Sequence, residues 1–145
     1  LVSDRPFLLG GVHIPFDKGE DGYSDGDVLL HAITDALLGA AGLGDIGEFF
    51  PPGDPRWKDA DSAQLLASAW AAIKDKGWQL ENIDAVVALE KPKFLPWREA
   101  VRASIAGILE VDTDQIFVKA KTGEGCGAVG RSEAVAVWAT CLLSR

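Results

Sequence analysis

A single histidine stands between two carboxylates at helical spacing. Asp27, His31 and Asp35 are four residues apart, so their side chains share one face of a helix. Such a histidine can bind a metal ion, with the carboxylates orienting the ring, or it can be a side chain held by hydrogen bonds. Since zinc takes at least three protein ligands, His31 supplies only part of a zinc site, and the spacing leaves both interpretations open.

A glycine-rich segment carries the second group of candidate side chains. The segment from Lys121 to Arg131 holds a threonine, a glutamate and two cations among its glycines. Backbone N–H groups and the two cations can hold phosphate oxygens, and Glu124 can hold Mg²⁺. The alternative is a flexible hairpin with solvated charges. The glycine spacing also fits GxGxxG, but too little chain follows for the helix, second strand and acidic residue of a dinucleotide site.

Two further segments are rich in turn-forming residues. Asp45-Ile46-Gly47 leads through Phe50 into a proline-rich turn that contains Asp54. The segment from Lys91 to Pro96 follows a strand, and its two prolines make it stiff enough to wall a planar ligand. It can equally be a plain connection between a strand and a helix.

Hydrophobic periodicity predicts the elements that position these side chains. Three helices are predicted, from about Asp27 to Ala41, from Asp61 or Ser62 to Gly77, and from about Trp97 to Leu109. Strands are predicted over Phe7 to Leu9 with a continuation to Phe16, Ile83 to Leu89, Ile116 to Thr122, and Glu133 to Leu142. A helix remains an alternative for the last strand, and Ser24 or Asp25 is the expected cap of the first helix. The fold class is therefore α+β, a two-layer sandwich with helices on one face of a mixed four-stranded sheet.

Composition and charge exclude some classes of function and indicate the cellular setting. The 145 residues carry 14 basic and 22 acidic side chains, a net charge of −8, which argues against general binding to nucleic acid or to anionic membranes. Two cysteines, no CxxC and no visible signal peptide predict a reduced, cytoplasmic setting. The chain is expected to be a single domain over 1–145. It has no Met and begins at Leu1, so we expect an N-terminal strand to precede it in the natural protein.

Taken together, these segments resemble a known family. Ser24 to Ala41, followed by Gly44-Asp45-Ile46-Gly47 and Phe50-Pro51, is similar to the 2-C-methyl-D-erythritol 2,4-cyclodiphosphate synthase family. Shorter blocks agree in order, namely Asp61-Ser62, Pro92-Lys93-x-x-Pro96, Lys119-Ala120-x-Thr122-x-Glu124 and Gly130-Arg131-x-Glu133-Ala134. The resemblance implies a bacterial homotrimer with sites between subunits. Its reaction would convert 4-diphosphocytidyl-2-C-methyl-D-erythritol 2-phosphate into the cyclic diphosphate and CMP, in the non-mevalonate isoprenoid pathway.

The resemblance also implies roles for individual residues. His31 matches one zinc ligand, and Glu124 matches the carboxylate for a second metal, magnesium or manganese. Thr122 matches a residue that assists phosphoryl transfer, and Tyr23 stands where the family often has a histidine that contacts the substrate phosphate. The implied substrate-binding residues are Ser24, Asp45, Ile46, Gly47, Phe50, Asp54, Leu89, Pro92, Lys93, Leu95, Lys121, Gly123, Ala128 and Arg131. Ala128 and Arg131 fall near the expected trimer axis.

The sequence departs from the family pattern at three places. The other two zinc ligands of the family lie in an Asp-x-His segment expected upstream of Leu1, Tyr23 replaces the histidine, and Pro52 replaces an acidic residue. Two other functions are therefore considered. One is a non-catalytic homologue that binds a nucleotide or isoprenoid diphosphate, and the other is a metal-dependent phosphohydrolase.

Overall fold

The computed structural model describes residues 1–22, 24–58 and 60–145, so Tyr23 lies outside the described residues. The α-helices are α1 Val28–Ala40, α2 Ile46–Phe49, α3 Ser62–Asp75, α4 Arg98–Leu109 and α5 Gly127–Gly130. The strands are β1 Val2–Ser3, β2 Phe7–Leu9, β3 Val12–Ile14, β4 Lys18–Gly19, β5 Gln79–Ala88, β6 Ile116–Lys121 and β7 Ala136–Ser144. Short 3₁₀ turns occupy Pro55–Trp57, Leu95–Trp97 and Thr113–Gln115. None of these helices combines the length and apolar character that crossing a membrane requires.

The main sheet has three strands in the order β6-β5-β7. β5 runs parallel to β6 and antiparallel to β7, so the predicted mixed character is confirmed. The prediction of four strands in one sheet was wrong for the described part of the chain, where the main sheet has three. The strand predicted at the N-terminal end is absent from it, because β2 and β3 pair with each other across a tight turn at Gly10 and Gly11. β1 and β4 form a separate ribbon. β7 is a strand and not the helix considered as its alternative.

The α+β class is confirmed by the layering of the sheet and the helices. Ile83, Ala85 and Val87 alternate along β5 and are buried on the face that the helices cover. α1 lies against β7, α4 lies against β6, and α3 packs on both helices. The opposite face of the sheet carries exposed apolar side chains, including Trp138 and Leu142.

Two arginines of α4 hold the outer edge of β6. Arg98 Nε donates to the Val118 carbonyl at 3.0 Å, and Arg102 Nε donates to the Ile116 carbonyl at 2.7 Å. Both guanidinium groups also lie 5.1 Å from the ring centroid of Phe117. The Ile116 and Val118 carbonyls of this edge strand are therefore satisfied by side chains of the neighbouring helix.

Asp27 joins the first hairpin to the start of α1. Its carboxylate accepts hydrogen bonds from the backbone N–H groups of Leu30 at 3.0 Å, Gly10 at 2.9 Å and Gly11 at 2.6 Å. The two glycines have φ values of +63° and +80°, and a Cβ atom at either would lie within 2.7 Å of a side-chain atom of α4. The N-cap of α1 is therefore Asp27, and the prediction of Ser24 or Asp25 was wrong. Asp27 is the side chain that reaches both the first turn of the helix and the Gly10–Gly11 turn.

Glu20 is an acidic side chain buried next to this junction, with 7% of its surface exposed. Its Oε2 accepts from the Leu8 N–H at 3.2 Å, while Oε1 has no partner among the described residues. Burial raises the pKa of Glu20 from its ordinary value of 4.5 to about 7, against the lowering effect of the Glu20 and Leu8 N–H groups. The carboxylates of Asp27 and Asp25 add to the increase. The folded protein therefore keeps the Glu20 proton at pH values where the unfolded chain has released it.

We predict that Glu20 makes the free energy of unfolding fall as the pH rises from about 4.5 to about 7. Glu20→Gln should unfold like the parent protein at pH 4 and be more stable by about 2 kcal/mol at pH 8. A rise of the pKa from 4.5 to about 7 corresponds to about 3.5 kcal/mol at about 1.4 kcal/mol per pKa unit, and screening by solvent lowers this value. Urea unfolding at the two pH values measures the difference. Asp21→Asn, at an exposed neighbour, is the control, and parallel profiles for parent and Glu20→Gln would contradict the prediction.

Candidate active site

A cavity of about 440 Å³ opens beside the first half of α1. Its volume is that of a typical small-molecule site. The walls include five residues that were predicted to bind metal or substrate, namely Ser24, His31, Ile46, Gly47 and Phe50. Pro52 also lines the cavity, so the proline that departs from the family pattern forms part of the wall.

His31 is held in this cavity by two hydroxyl groups. Its Nε2 atom lies 2.7 Å from Ser62 Oγ and 3.0 Å from Ser24 Oγ. Burial lowers the pKa of His31, and the nearby carboxylates of Asp27 and Asp25 oppose this effect. A neutral imidazole is the form that binds a metal ion.

The carboxylates on the His31 face of α1 hold backbone groups. Asp27 binds the hairpin and the first turn of the helix, and Asp35 Oδ1 accepts from the Ile46 N–H at 2.9 Å. The idea that these two carboxylates orient the His31 ring is therefore wrong, although the helical spacing was correct. The described residues contain no group of three or more His, Cys, Asp or Glu side chains arranged for a metal ion.

Two predicted substrate residues stabilise turns at the cavity. Asp45 is the N-cap of α2 and accepts from the Glu48 N–H at 2.8 Å. Asp54 caps the Pro55–Trp57 turn and forms an ion pair with Arg56 at 2.7 Å. These bonds fix the backbone around Ile46 and Gly47. Contact of Asp45 and Asp54 with a substrate stays a prediction.

The remaining candidates lie in the loops that follow β5 and β6. The two strands are parallel, so their carboxyl ends meet at one edge of the sheet, where the Leu89 N–H donates to the Lys121 carbonyl at 2.8 Å. Glu90 links the loops more firmly, because its oxygens accept from the N–H groups of Gly123 at 2.8 Å and Gly125 at 3.3 Å. The structure brings Leu89 to Lys121 and Gly123 to Glu90. Of the other predicted residues, Pro92, Lys93 and Leu95 follow in the loop after β5, and Thr122 and Glu124 lie in the loop after β6.

Glu124 is exposed and has an unusual backbone conformation. Its φ is +51°, and its N–H donates to Thr122 Oγ1 at 3.2 Å. A non-glycine residue in the left-handed region is strained, and such strain is frequent at functional sites. Ala128 and Arg131 lie at the nearby α5, where the exposed Arg131 guanidinium pairs with Glu133 at 2.9 Å.

The two groups of candidates are separate on one chain. The described walls of the His31 cavity include none of the predicted residues in the loops after β5 and β6. Ala134 and Val135, which end the segment between β6 and β7, do line the cavity.

Three residues of the site were not predicted to be functional. Asp25 and Ser62 were considered as helix caps, and no separate role was predicted for Glu90, which directly follows the predicted strand Ile83 to Leu89. A signal for Glu90 existed, since it is an acidic residue at the carboxyl end of a strand whose parallel neighbour leads into a glycine-rich loop. The contact of Ser62 with His31 spans 31 positions and has no local signal.

We predict that Glu90→Gln loosens the Gly123–Gly125 loop. An amide has only one accepting oxygen, so one of the two loop N–H groups loses its partner. Since a hydrogen bond to a charged group contributes about 1.5–3 kcal/mol, exchange of the Gly123 or Gly125 amide hydrogen should accelerate about tenfold or more. Glu81→Gln is the matched control, because the Glu81 carboxylate accepts from Ser144 Oγ on the surface, away from this loop. Unchanged exchange at both glycines would show that Glu90 does not hold the loop.

Comparison with known proteins defines the family. A protein named 2-C-methyl-D-erythritol 2,4-cyclodiphosphate synthase from Treponema denticola is 62% identical over 99% of this chain and 89% of its own length. The bifunctional IspDF from Campylobacter jejuni matches with a TM-score of 0.93 and 45% identity, over 97% of this chain and 38% of that protein. A 2C-methyl-D-erythritol-2,4-cyclodiphosphate synthase in a CDP-bound form matches with a TM-score of 0.89 and 39% identity, over 98% of this chain and 92% of that one. The YgbB family model matches residues 1–144, and the chain belongs to the YgbB family.

Proposed function

We propose that the protein converts 4-diphosphocytidyl-2-C-methyl-D-erythritol 2-phosphate into 2-C-methyl-D-erythritol 2,4-cyclodiphosphate and CMP, as a phosphorus–oxygen lyase of isoprenoid biosynthesis. The observation that carries the proposal is the cavity that joins His31, Ser24 and the Ile46–Gly47 turn. Its support is the 62% identity to a protein named for this synthase activity. The CDP-bound relative favours a cytidine diphosphate substrate.

The residues present suit phosphoryl transfer within one molecule. In this reaction an oxygen of the substrate's 2-phosphate attacks the β-phosphorus, and the bond from that phosphorus to the CMP oxygen breaks. No protein nucleophile is needed, and the chain has to position the two phosphates and balance their charge. Lys93 and Lys121 are exposed in the loops after β5 and β6, where they can neutralise a diphosphate despite the net charge of −8. The hydroxyls of Ser24 and Thr122 can donate to phosphate oxygens.

The chain offers one donor side chain for each of two metal ions. His31 offers a neutral, hydrogen-bonded imidazole for zinc, and a zinc ion would need further protein ligands beside it. The exposed Glu124 carboxylate suits magnesium or manganese, which favour one carboxylate together with substrate phosphates. When bound, such ions stabilise charge on the diphosphate oxygens. Lys121 and Thr122 would then hold the diphosphate beside Glu124, while the Gly123 N–H stays bound to Glu90.

We further propose a homotrimer whose sites lie between subunits. One support is that neither Glu124 nor Lys121 is among the described residues that line the His31 cavity. A second support is the sheet face that no helix covers, where Trp138 is 64% exposed and Leu142 is 59% exposed. Exposed large apolar side chains in one layer are typical of a surface that another protein covers.

A reducing, cytoplasmic setting is part of the same proposal. Cys126 is an exposed free thiol, and Cys141 is partly buried with its Sγ directed to the Ala36 carbonyl. Exposed thiols persist where cellular reductants keep them reduced.

Phosphorus NMR of the synthase substrate with full-length protein, zinc and magnesium tests the reaction. We expect resonances of a cyclic diphosphate and CMP to appear together. Release of inorganic phosphate would indicate the phosphohydrolase instead. Unchanged substrate in the presence of zinc-loaded protein would favour the non-catalytic homologue.

Subunit complementation tests the shared site. His31→Ala and Glu124→Gln should each lower kcat/KM at least about 100-fold, comparable with the loss of one group that stabilises developing charge. In mixed trimers formed from equal amounts of the two variants, about a quarter of the sites combine an intact His31 with an intact Glu124 of a neighbour, so activity should return to that level.

Light scattering checks that the mixture is trimeric, and Asp114→Asn, in the turn at the far end of β6, is the control for surface charge. Mixed trimers without restored activity would place both residues of a site on one chain.

A further inference from the structure

A chain of hydrogen bonds leads from Asp25 through Ser62 to His31. Asp25 Oδ1 contacts Ser62 Oγ, and the same Ser62 Oγ lies 2.7 Å from His31 Nε2. The three groups are firmly placed. Ser62 is 1% exposed at the first position of α3, and its N–H donates to Asp25 Oδ2 at 2.9 Å.

Asp25 is fixed equally well by the backbone. Its Oδ1 accepts from the Asp27 N–H at 3.1 Å, and its own N–H donates to the Ala60 carbonyl at 3.2 Å. With the two groups of Ser62, three donors converge on this side chain. An ionised carboxylate, which only accepts, fits all three contacts.

The direction of each bond follows from the number of hydrogens. Ser62 has one hydroxyl hydrogen, and the Asp25 carboxylate can only accept, so this hydrogen lies between Ser62 and Asp25. Ser62 Oγ then has only lone pairs to offer His31 Nε2. The Nε2 atom must therefore carry a hydrogen and donate it, which leaves Nδ1 of the neutral ring without one.

We propose that Asp25 and Ser62 are positioning residues that hold His31 as the Nε2–H tautomer, so that Nδ1 is the nitrogen offered to zinc. The part that concerns zinc rests on the proposed function, whereas the tautomer follows from the hydrogen-bond chain alone. Metal-binding histidines commonly donate their second N–H to an oxygen, which orients the ring and makes the ligand more basic. Here that oxygen is the Ser62 hydroxyl. Because the Asp25 carboxylate accepts the hydroxyl hydrogen, Ser62 Oγ can only accept from His31.

Ser24 provides the one competing arrangement in this part of the structure. Its hydroxyl lies 3.0 Å from the same Nε2 atom and could donate to it in the opposite tautomer. That tautomer would turn a lone pair of Ser62 Oγ toward a lone pair of Nε2 at 2.7 Å, which is repulsive. In the proposed tautomer the one Nε2 hydrogen points to Ser62 Oγ, the nearer hydroxyl, and the ring no longer needs the Ser24 hydroxyl as a donor. The Ser24 hydrogen is then free for a substrate phosphate.

Nitrogen-15 NMR of the zinc-free, full-length protein tests the tautomer directly. Long-range proton–nitrogen correlations at alkaline pH show which imidazole nitrogen carries the hydrogen, and the exposed His13 supplies an internal reference. We expect His31 of the parent protein to be protonated at Nε2. The same result is expected for Ser24→Ala, which keeps the chain from Asp25, whereas Ser62→Ala should give a mixture of tautomers. A hydrogen at Nδ1 in the parent protein would overturn the inference, whatever the enzyme activity.

Zinc affinity, measured by chelator competition on the full-length protein, tests the positioning role. Ser62→Ala should weaken zinc binding about 10- to 100-fold, the usual cost of losing a group that orients a metal ligand. Ser24→Ala should bind zinc within about threefold of the parent protein if Ser62 is the orienting hydroxyl. Equal affinities of Ser62→Ala and the parent would overturn the role. A protein with the Nε2–H tautomer and no synthase turnover would overturn the proposed function and leave the tautomer standing.

Discussion

The site depends on the carboxylate of Asp27 and the three backbone N–H groups that it accepts. This one side chain begins α1 and at the same time holds the turn between β2 and β3. His31 lies one turn further along the helix. Ser24 and Asp25 lie just before Asp27 in the sequence. The helix cannot shift along its axis without breaking these bonds. The positions of His31, Ser24 and Asp25 relative to one another are therefore fixed.

Carboxylates throughout the site bind the backbone. Asp35 holds the start of α2, Asp45 caps it, and Glu90 holds the loop that carries Glu124. This use of acidic residues explains how a chain with a net charge of −8 suits an anionic substrate. Their negative charge is compensated locally by N–H groups, while Lys93 and Lys121 stay exposed in the loops after β5 and β6.

Local patterns in the sequence predicted most of the elements, and contacts between distant segments account for what they missed. The periodicity of α1 and the cap at Asp61 are local, and both agree with the structure. The number of strands in the main sheet depends on which strands pair, and nothing local distinguishes a separate β2–β3 hairpin from two more strands of one sheet. The cap at Asp27 and the role of Ser62 likewise arise only when remote segments meet. His31 was identified by residue type and spacing, but its neighbours were not.

The arginines on the outer edge of β6 also affect how the protein behaves at high concentration. A free strand edge is a template for pairing with other chains, and repeated pairing of this kind leads to amyloid. Arg98 and Arg102 occupy carbonyls of that edge, and their guanidinium groups lie over Phe117 beside it. An incoming strand would have to displace two charged, hydrogen-bonded groups before its first backbone bond could form. The same contacts that join α4 to the sheet therefore protect this edge against fibril growth.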